Sequence, residues 1–172
     1  EAGRPSHGIT DWQSIVEFDF AAAQNESTQL AIVDRTGPRG NDFASWLRNV
    51  GASTPQDELT VREPRYTAKR LKAPIRAQQW LYVDPDRSTP LGKVSVQNLL
   101  FTTPVGSAED QRCGKVVFSD MHVSSGSTSR AAVPFPGTGV GGNGCSTTDL
   151  TPQEKALAFI LFDISSCVGP IL

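Results

Sequence analysis

The sequence predicts an α/β domain that carries a β-hairpin and closes on a buried C-terminal helix. Three observations predict it. Two strand-like runs, Ala77 to Val83 and Lys93 to Thr102, flank the turn signals Asp84-Pro85-Asp86 and Thr89-Pro90-Leu91-Gly92, the pattern of an antiparallel pair. Lys115 to Ser119 is too short and too apolar for an exposed strand, so it belongs inside a sheet. After a long Ser/Gly/Pro-rich stretch, Thr151 as N-cap, Pro152 at the first helical position and Glu154 three residues on form a capping box that opens an apolar helix.

Each element has its own local reason. Gly3 to Gly8 read as loop. Between Trp12 and Ala23, apolar residues (Trp12, Ile15, Val16, Phe18, Phe20) mix with acidic ones, and neither the helical nor the alternating period wins. Gln29 to Asp34 suits a short buried strand or an apolar loop, followed by a turn over Thr36-Gly37-Pro38-Arg39-Gly40. Asn41 is expected to cap a helix running to Asn49, because Phe43, Trp46, Leu47 and Val50 recur at helical spacing and Gly51 stops it. Leu59 to Arg62 is a short strand ended by Pro64. The strands of the hairpin carry Trp80 and Tyr82 on one side and Leu81 and Val83 on the other. In the second run, Val94, Val96 and Asn98 alternate with Ser95 and Gln97 before Leu99-Leu100-Phe101.

Composition bounds the function. The chain of 172 residues is expected to form one domain over 1–172, and its 15 Gly and 12 Pro, with 38% hydrophobic residues, point to many turns and long loops. A net charge of −2 and a pI near 5.7 argue against nucleic acid or an anionic membrane as partner. Lys and Arg cluster from Arg62 to Arg76, but Glu63, Pro64 and Pro74 interrupt the run, which reads as a solvated connecting face. The longest apolar stretch, Ala156 to Phe162, falls far short of the roughly 18–20 residues of a membrane span. No spacing suits a metal site and no motif calls for a cofactor. Glu1 stands where an initiator Met would, and Met121 is the sole Met, so the N-terminus is expected to arise by processing or by design of the expressed chain.

The last helix makes an unusual demand. Ala156, Leu157, Ala158, Phe159, Ile160, Leu161, Phe162 and Ile164 surround its axis, leaving Lys155 and Asp163 as the polar residues of its body. Such a helix is expected to be buried on nearly all sides. A strand and the helix that follows it run roughly antiparallel, so the start of the Lys115–Ser119 strand and the end of the helix should share one edge. Cys113 and Cys167 occupy those two ends and are expected to form a disulfide, leaving Cys145 in the loop unpaired; the alternative is three reduced cysteines in a cytosolic protein. The spare thiol and the over-apolar helix together ask for more protein: another chain, an N-terminal half-domain or self-assembly.

These same residues carry a resemblance. Cys113-Gly-Lys-Val-Val-Phe-Ser-Asp-Met-His-Val, the glycine-rich loop with Phe135-Pro136 and Cys145, and Leu150 through Cys167 resemble the C-terminal half of a domain found in large secreted bacterial proteins. Asn41 to Gly51 and Arg76 to Tyr82 resemble earlier segments of it, so the likeness covers most of the chain. That domain is similar to the class I glutamine-amidotransferase-like fold, including its trehalose-utilisation-type branch. The resemblance implies a partial flavodoxin-like domain with a parallel central sheet, into which the β-hairpin is inserted. It also implies an extracellular, cell-surface or periplasmic location, and a histidine late in the domain, the place His122 holds. The cysteine nucleophile of such a site stands on a strand-to-helix elbow upstream of the histidine, and no such elbow precedes His122. Cys113 lies at the far end of the same strand, roughly 20 Å away. A nucleophile and the parallel strands are therefore expected in a preceding half-domain.

Candidate site residues are few. His122 with Asp120 and Ser119 could form an acid–base group at a strand's C-terminal edge, where open α/β sheets bind ligands; structural hydrogen bonding is the plainer fate. His7 is expected exposed and inert. Gly137 to Gly144 follows no strand and lacks Gly-Lys-Ser/Thr, so it reads as a loop and not a phosphate cradle. Asn25-Glu26-Ser27 fits a glycosylation acceptor that a bacterial source would leave silent. Trp12, Trp46 and Trp80 are expected in the core. Two functions follow: a non-catalytic extracellular structural, assembly or recognition module, or a hydrolase or amidohydrolase half-domain in which His122 works with a nucleophile from elsewhere. The incomplete catalytic set favours the first.

Overall fold

All strand pairings described are antiparallel. The structure, a computed structural model, describes residues 12–19, 28–37, 39–62, 64–72, 77–84, 95–121 and 149–165. In chain order the elements are α1 (Trp12–Ile15), β1 (Val16–Phe18), β2 (Thr28–Val33), α2 (Gly40–Asn49), β3 (Glu58–Arg62), β4 (Ala68–Leu71), β5 (Ala77–Val83), β6 (Ser95–Thr103), a 3-10 turn (Glu109–Gln111), β7 (Gly114–Ser119) and α3 (Pro152–Ser165). Five strands form one sheet in the order β3-β2-β5-β6-β7, and β1 pairs with β4 as a separate ribbon. The protein is thus mixed α/β, but its described sheet is not the parallel one that the resemblance implies. The reason lies in the connections. β6 and β7 are neighbours joined by little more than a 3-10 turn, whereas a parallel pair needs a crossover of a dozen or more residues.

The hairpin and the β7 strand also take different places from those expected. β5 and β6 pair from Ala77↔Phe101 to Val83↔Ser95 as expected, yet they are the centre of the sheet and not an insertion. Register shifts between Gln79 and Tyr82 break the simple alternation, so Trp80, Leu81 and Val83 all enter one core cluster. β7 stands at the end of the strand order and not inside the sheet. Its apolar residues are shielded by the layers above and below instead: Val117 packs on the helix-side core, Val116 and Phe118 on the ribbon-side core.

Three layers result. α2 and α3 cover one face, where Phe43, Ala44, Leu47, Trp80, Leu100, Ala156 and Ile160 are all but inaccessible. α1 and the β1–β4 ribbon cover the other, over Ile15, Val16, Ala68, Leu99 and Phe101. The undecided stretch after Trp12 divides into one helical turn and a three-residue strand, and the short period of each explains why neither pattern won. The basic stretch is not only a connecting face: β4 lies within it, with Ala68 buried, while Arg70 and Lys72 stay exposed.

α2 starts one residue before the expected cap. Arg39 holds the N-cap position without a side-chain bond, and Asn41 sits in the first turn, its Oδ1 accepting from Arg35 Nε at 2.9 Å. A side chain at Gly40 would strike the Asp34 carbonyl, so the helix's tight entry requires glycine. Gly51, with φ of 65°, ends the helix as expected.

α3 begins with the expected capping box: the Thr151 N–H donates to Glu154 Oε2 at 2.7 Å and the Glu154 N–H donates to Thr151 Oγ1 at 3.3 Å. We expect Thr151→Ala to lower the denaturation midpoint, at a cost of about 1 kcal/mol, measured by urea unfolding. The rest of α3 departs from the expectation of burial all round. Leu161, Phe162 and Ile164 are 53%, 63% and 41% exposed, whereas Gln153, Glu154 and Asp163 are buried. Polar anchors set the helix's rotation. Gln153 pairs with the edge strand β3 as another strand would, its Oε1 accepting from the Arg62 N–H and its Nε2 donating to the Arg62 carbonyl. Asp163, ten residues on, is held by Arg39 and Lys115. With both anchors turned inward, Leu161 and Phe162 must face outward.

Candidate functional site

Two of the candidate residues, Ser119 and Asp120, stand where β7 leaves the sheet. β7 runs antiparallel to β6 with Asn98 opposite Ser119, which delivers Ser119, Asp120 and Met121 to one end of the sheet. Ser119 is exposed and Asp120 is 5% exposed, so the two do not form a common accessible group. His122 lies outside the described residues, as do His7, Asn25, Cys145, Cys167 and the glycine-rich loop of 137–144.

Asp120 is committed to holding the fold. Its Oδ2 accepts from the backbone N–H groups of Thr67 at 2.7 Å and Ala68 at 3.1 Å, and its own N–H donates to the Gln97 carbonyl. Next to it, Ser95 Oγ donates to the carbonyl oxygens of Arg65 and Ala68, and Gln97 Nε2 donates to the Arg65 carbonyl. Three side chains from β6 and the end of β7 thereby grip the segment leading into β4. Burial pushes the Asp120 carboxyl above its ordinary value, while the backbone N–H groups of Ala68 and Thr67, the Thr67 side chain and the Arg65 charge pull it down.

The predicted proximity of the strand's start and the helix's end is present. Lys115, second residue of β7, donates to the Asp163 carbonyl and Oδ2 near the end of α3, each at 3.3 Å. Cys113 stands just before β7, exposed and with no disulfide partner among the described residues. The expected disulfide and the spare Cys145 involve positions outside the described residues. The tryptophans pack as expected: Trp80 is fully buried, Trp12 meets Phe101 edge-on, and Trp46 packs against Phe159.

Residue patterning missed two charge clusters. Asp163 Oδ1 accepts from Arg39 Nε at 2.9 Å and Nη2 at 2.6 Å, so one carboxylate joins α2, α3 and β7. Asp57, at φ of 60°, receives Arg35 at 3.0 Å and Arg48 at 3.4 Å and braces the turn into β3. The available signal for the first was a single acidic residue near the end of an otherwise apolar helix. Each carboxylate has basic partners within reach, an arrangement that fixes elements in place rather than presenting a reactive group.

No family model matches the chain, and neither a curated protein nor a solved structure matches it. Among the described residues, no helix is long and apolar enough to cross a membrane, and no three His, Cys, Asp or Glu side chains gather as metal ligands would.

Proposed function

We propose that the chain is a non-catalytic extracellular module of a secreted or cell-surface bacterial protein, serving assembly or recognition by docking on other protein through the outer face of α3. The observation that carries this reading is the helix's inverted exposure: its acidic side chains Glu154 and Asp163 are buried, while Leu161, Phe162 and Ile164 stand in solvent. Phe162 is propped edge-on against Trp46, which keeps its ring on the surface. Exposed apolar side chains that are adjacent and held in place, rather than scattered singly, mark interaction surfaces. The use of Asp120 as a fold anchor also favours a binding role over a hydrolase half-domain built on His122, Asp120 and Ser119. The amidotransferase-like relationship and the secreted bacterial setting rest on the segment resemblance; the docking through α3 does not use it.

Phe162→Glu tests the docking face. We expect its stability to stay within about 0.5 kcal/mol of the parent, because the ring is already largely exposed. Native mass spectrometry of the protein from its producing cells, under non-reducing conditions, should show the parent in a complex and the variant alone. A parent that runs solely as a lone monomer overturns the reading.

A further inference from the structure

We propose that the outer edge of β7 is a docking seam for a second copy of this chain, joining two sheets into one across paired β7 strands. The inference deepens the docking role of α3 and rests on it. The two edges of the sheet are finished differently. At β3 the amide of Gln153 occupies the Arg62 N–H and carbonyl, the groups a further strand would use. At the other end, nothing among the described residues pairs with β7 beyond β6. Gly114 to Phe118 are each partly exposed and Ser119 is exposed, whereas β6 beside them is buried from Ser95 to Phe101. Apolar Val116, Val117 and Phe118 thus stand on an open edge, where a charged side chain usually keeps other strands away. Here that guard is turned inward: the Lys115 ammonium donates to the Asp163 carbonyl and carboxylate, and its side chain is 19% exposed.

The register decides which backbone groups are open. The Asp120 N–H donates to the Gln97 carbonyl, in step with the β6–β7 pairs. Hydrogen-bonded pairs alternate along an antiparallel ladder, so Phe118 with Leu99 and Val116 with Phe101 are bonded pairs. The N–H and carbonyl groups of Lys115, Val117 and Ser119 then point away from β6, into the open edge. A second β7 supplies the matching groups. Set antiparallel about a two-fold axis at Val117, it places Val117 opposite its own counterpart and Lys115 of each copy opposite Ser119 of the other. Val116 meets Phe118, an aliphatic–aromatic cross-strand pair, and no like charges are opposed. The axis also keeps helix layer beside helix layer. α3 crosses the sheet from β3, where Gln153 is anchored, to β7, where Asp163 is anchored ten residues on, about 15 Å of helix. Its last turns carry no charge but the buried Asp163, and their exposed Leu161 and Ile164 lie on the flank where β7 is open. A second copy covers the ladder and the apolar helix end together.

Native mass spectrometry and residue-resolved hydrogen exchange, each over a range of protein concentrations, test the seam. The protein should appear at twice its chain mass at high concentration and dissociate on dilution. The amide protons of Lys115, Val117 and Ser119 should lose protection as it dissociates, while those of Val116 and Phe118, bonded to β6, keep theirs. Val117→Pro, which removes an outward N–H from the middle of the seam, should give a monomer with unchanged circular dichroism. The exchange reading on the parent does not depend on that variant folding. A dimer in which Lys115, Val117 and Ser119 exchange independently of concentration overturns the seam. A complex made solely with a different chain overturns the second copy as partner and leaves the docking role of α3 standing, whereas a lone monomer at every concentration overturns both.

Discussion

Trp80→Ala is expected to cost about 3–5 kcal/mol, toward the upper end of that range, in urea unfolding followed by circular dichroism. Trp80 sits on β5 with no accessible surface, beneath both covering helices. Its ring lies 5.6 Å from Phe43 of α2 and 5.7 Å from Phe159 of α3, and those two rings are 5.1 Å apart. Removing the indole therefore opens a cavity shared by three elements, and a site walled by a sheet and two packed helices collapses poorly. The three rings should also be energetically coupled. In a double-mutant cycle, Trp80→Ala and Phe159→Ala together should cost less than the sum of the single changes, by about 0.5–1.5 kcal/mol. Strict additivity would show that the rings are neighbours without mutual support.

How much of this was legible in the sequence depends on how far away each partner lies. β5 was readable from Ala77 to Val83, because its apolar residues and flanking turns are its own. α2 and the capping box of α3 were readable for the same reason: spacing and caps are decided within a few residues. β4 was not. Ala68-Lys69-Arg70-Leu71 is short and charged, and it is a strand because β1, more than fifty positions earlier, offers Glu17 to Arg70. The orientation of the sheet and the rotation of α3 belong to the same class. Gln153 answers to Arg62 across 91 positions and Asp163 to Arg39 across 124. Counting apolar residues around α3 predicted burial everywhere; two distant polar partners decided which residues were buried. At the candidate site, Asp120 looked like half of an Asp/His pair because its neighbours in sequence were visible and its partners, 52 and 53 positions away, were not.

Asp163→Ala should lower stability by about 2–4 kcal/mol, short of the largest values because the partners of Asp163 are only partly buried. Breaking a fully buried ion pair typically costs about 3–5 kcal/mol, most of it from the stranded partner charge. Asp163 is buried, its side chain 2% exposed, but its partners are less so: Arg39 is 43% exposed and Lys115 is 19%. Arg39 also retains Asp42 at 3.2 Å, so its guanidinium finds both water and another carboxylate when Asp163 is gone. Lys115 is more confined and carries the larger part of the cost. Lys115→Met in the Asp163→Ala background should then recover part of the loss, since it removes the stranded ammonium and keeps the apolar stem. The same tie fixes the last turns of α3, so Asp163→Ala should also speed amide exchange from Leu161 to Ser165 while leaving the first turn, held by Thr151 and Glu154, protected. Uniform loss of protection along α3 would mean that the carboxylate serves the whole helix and not the end that carries the exposed apolar face.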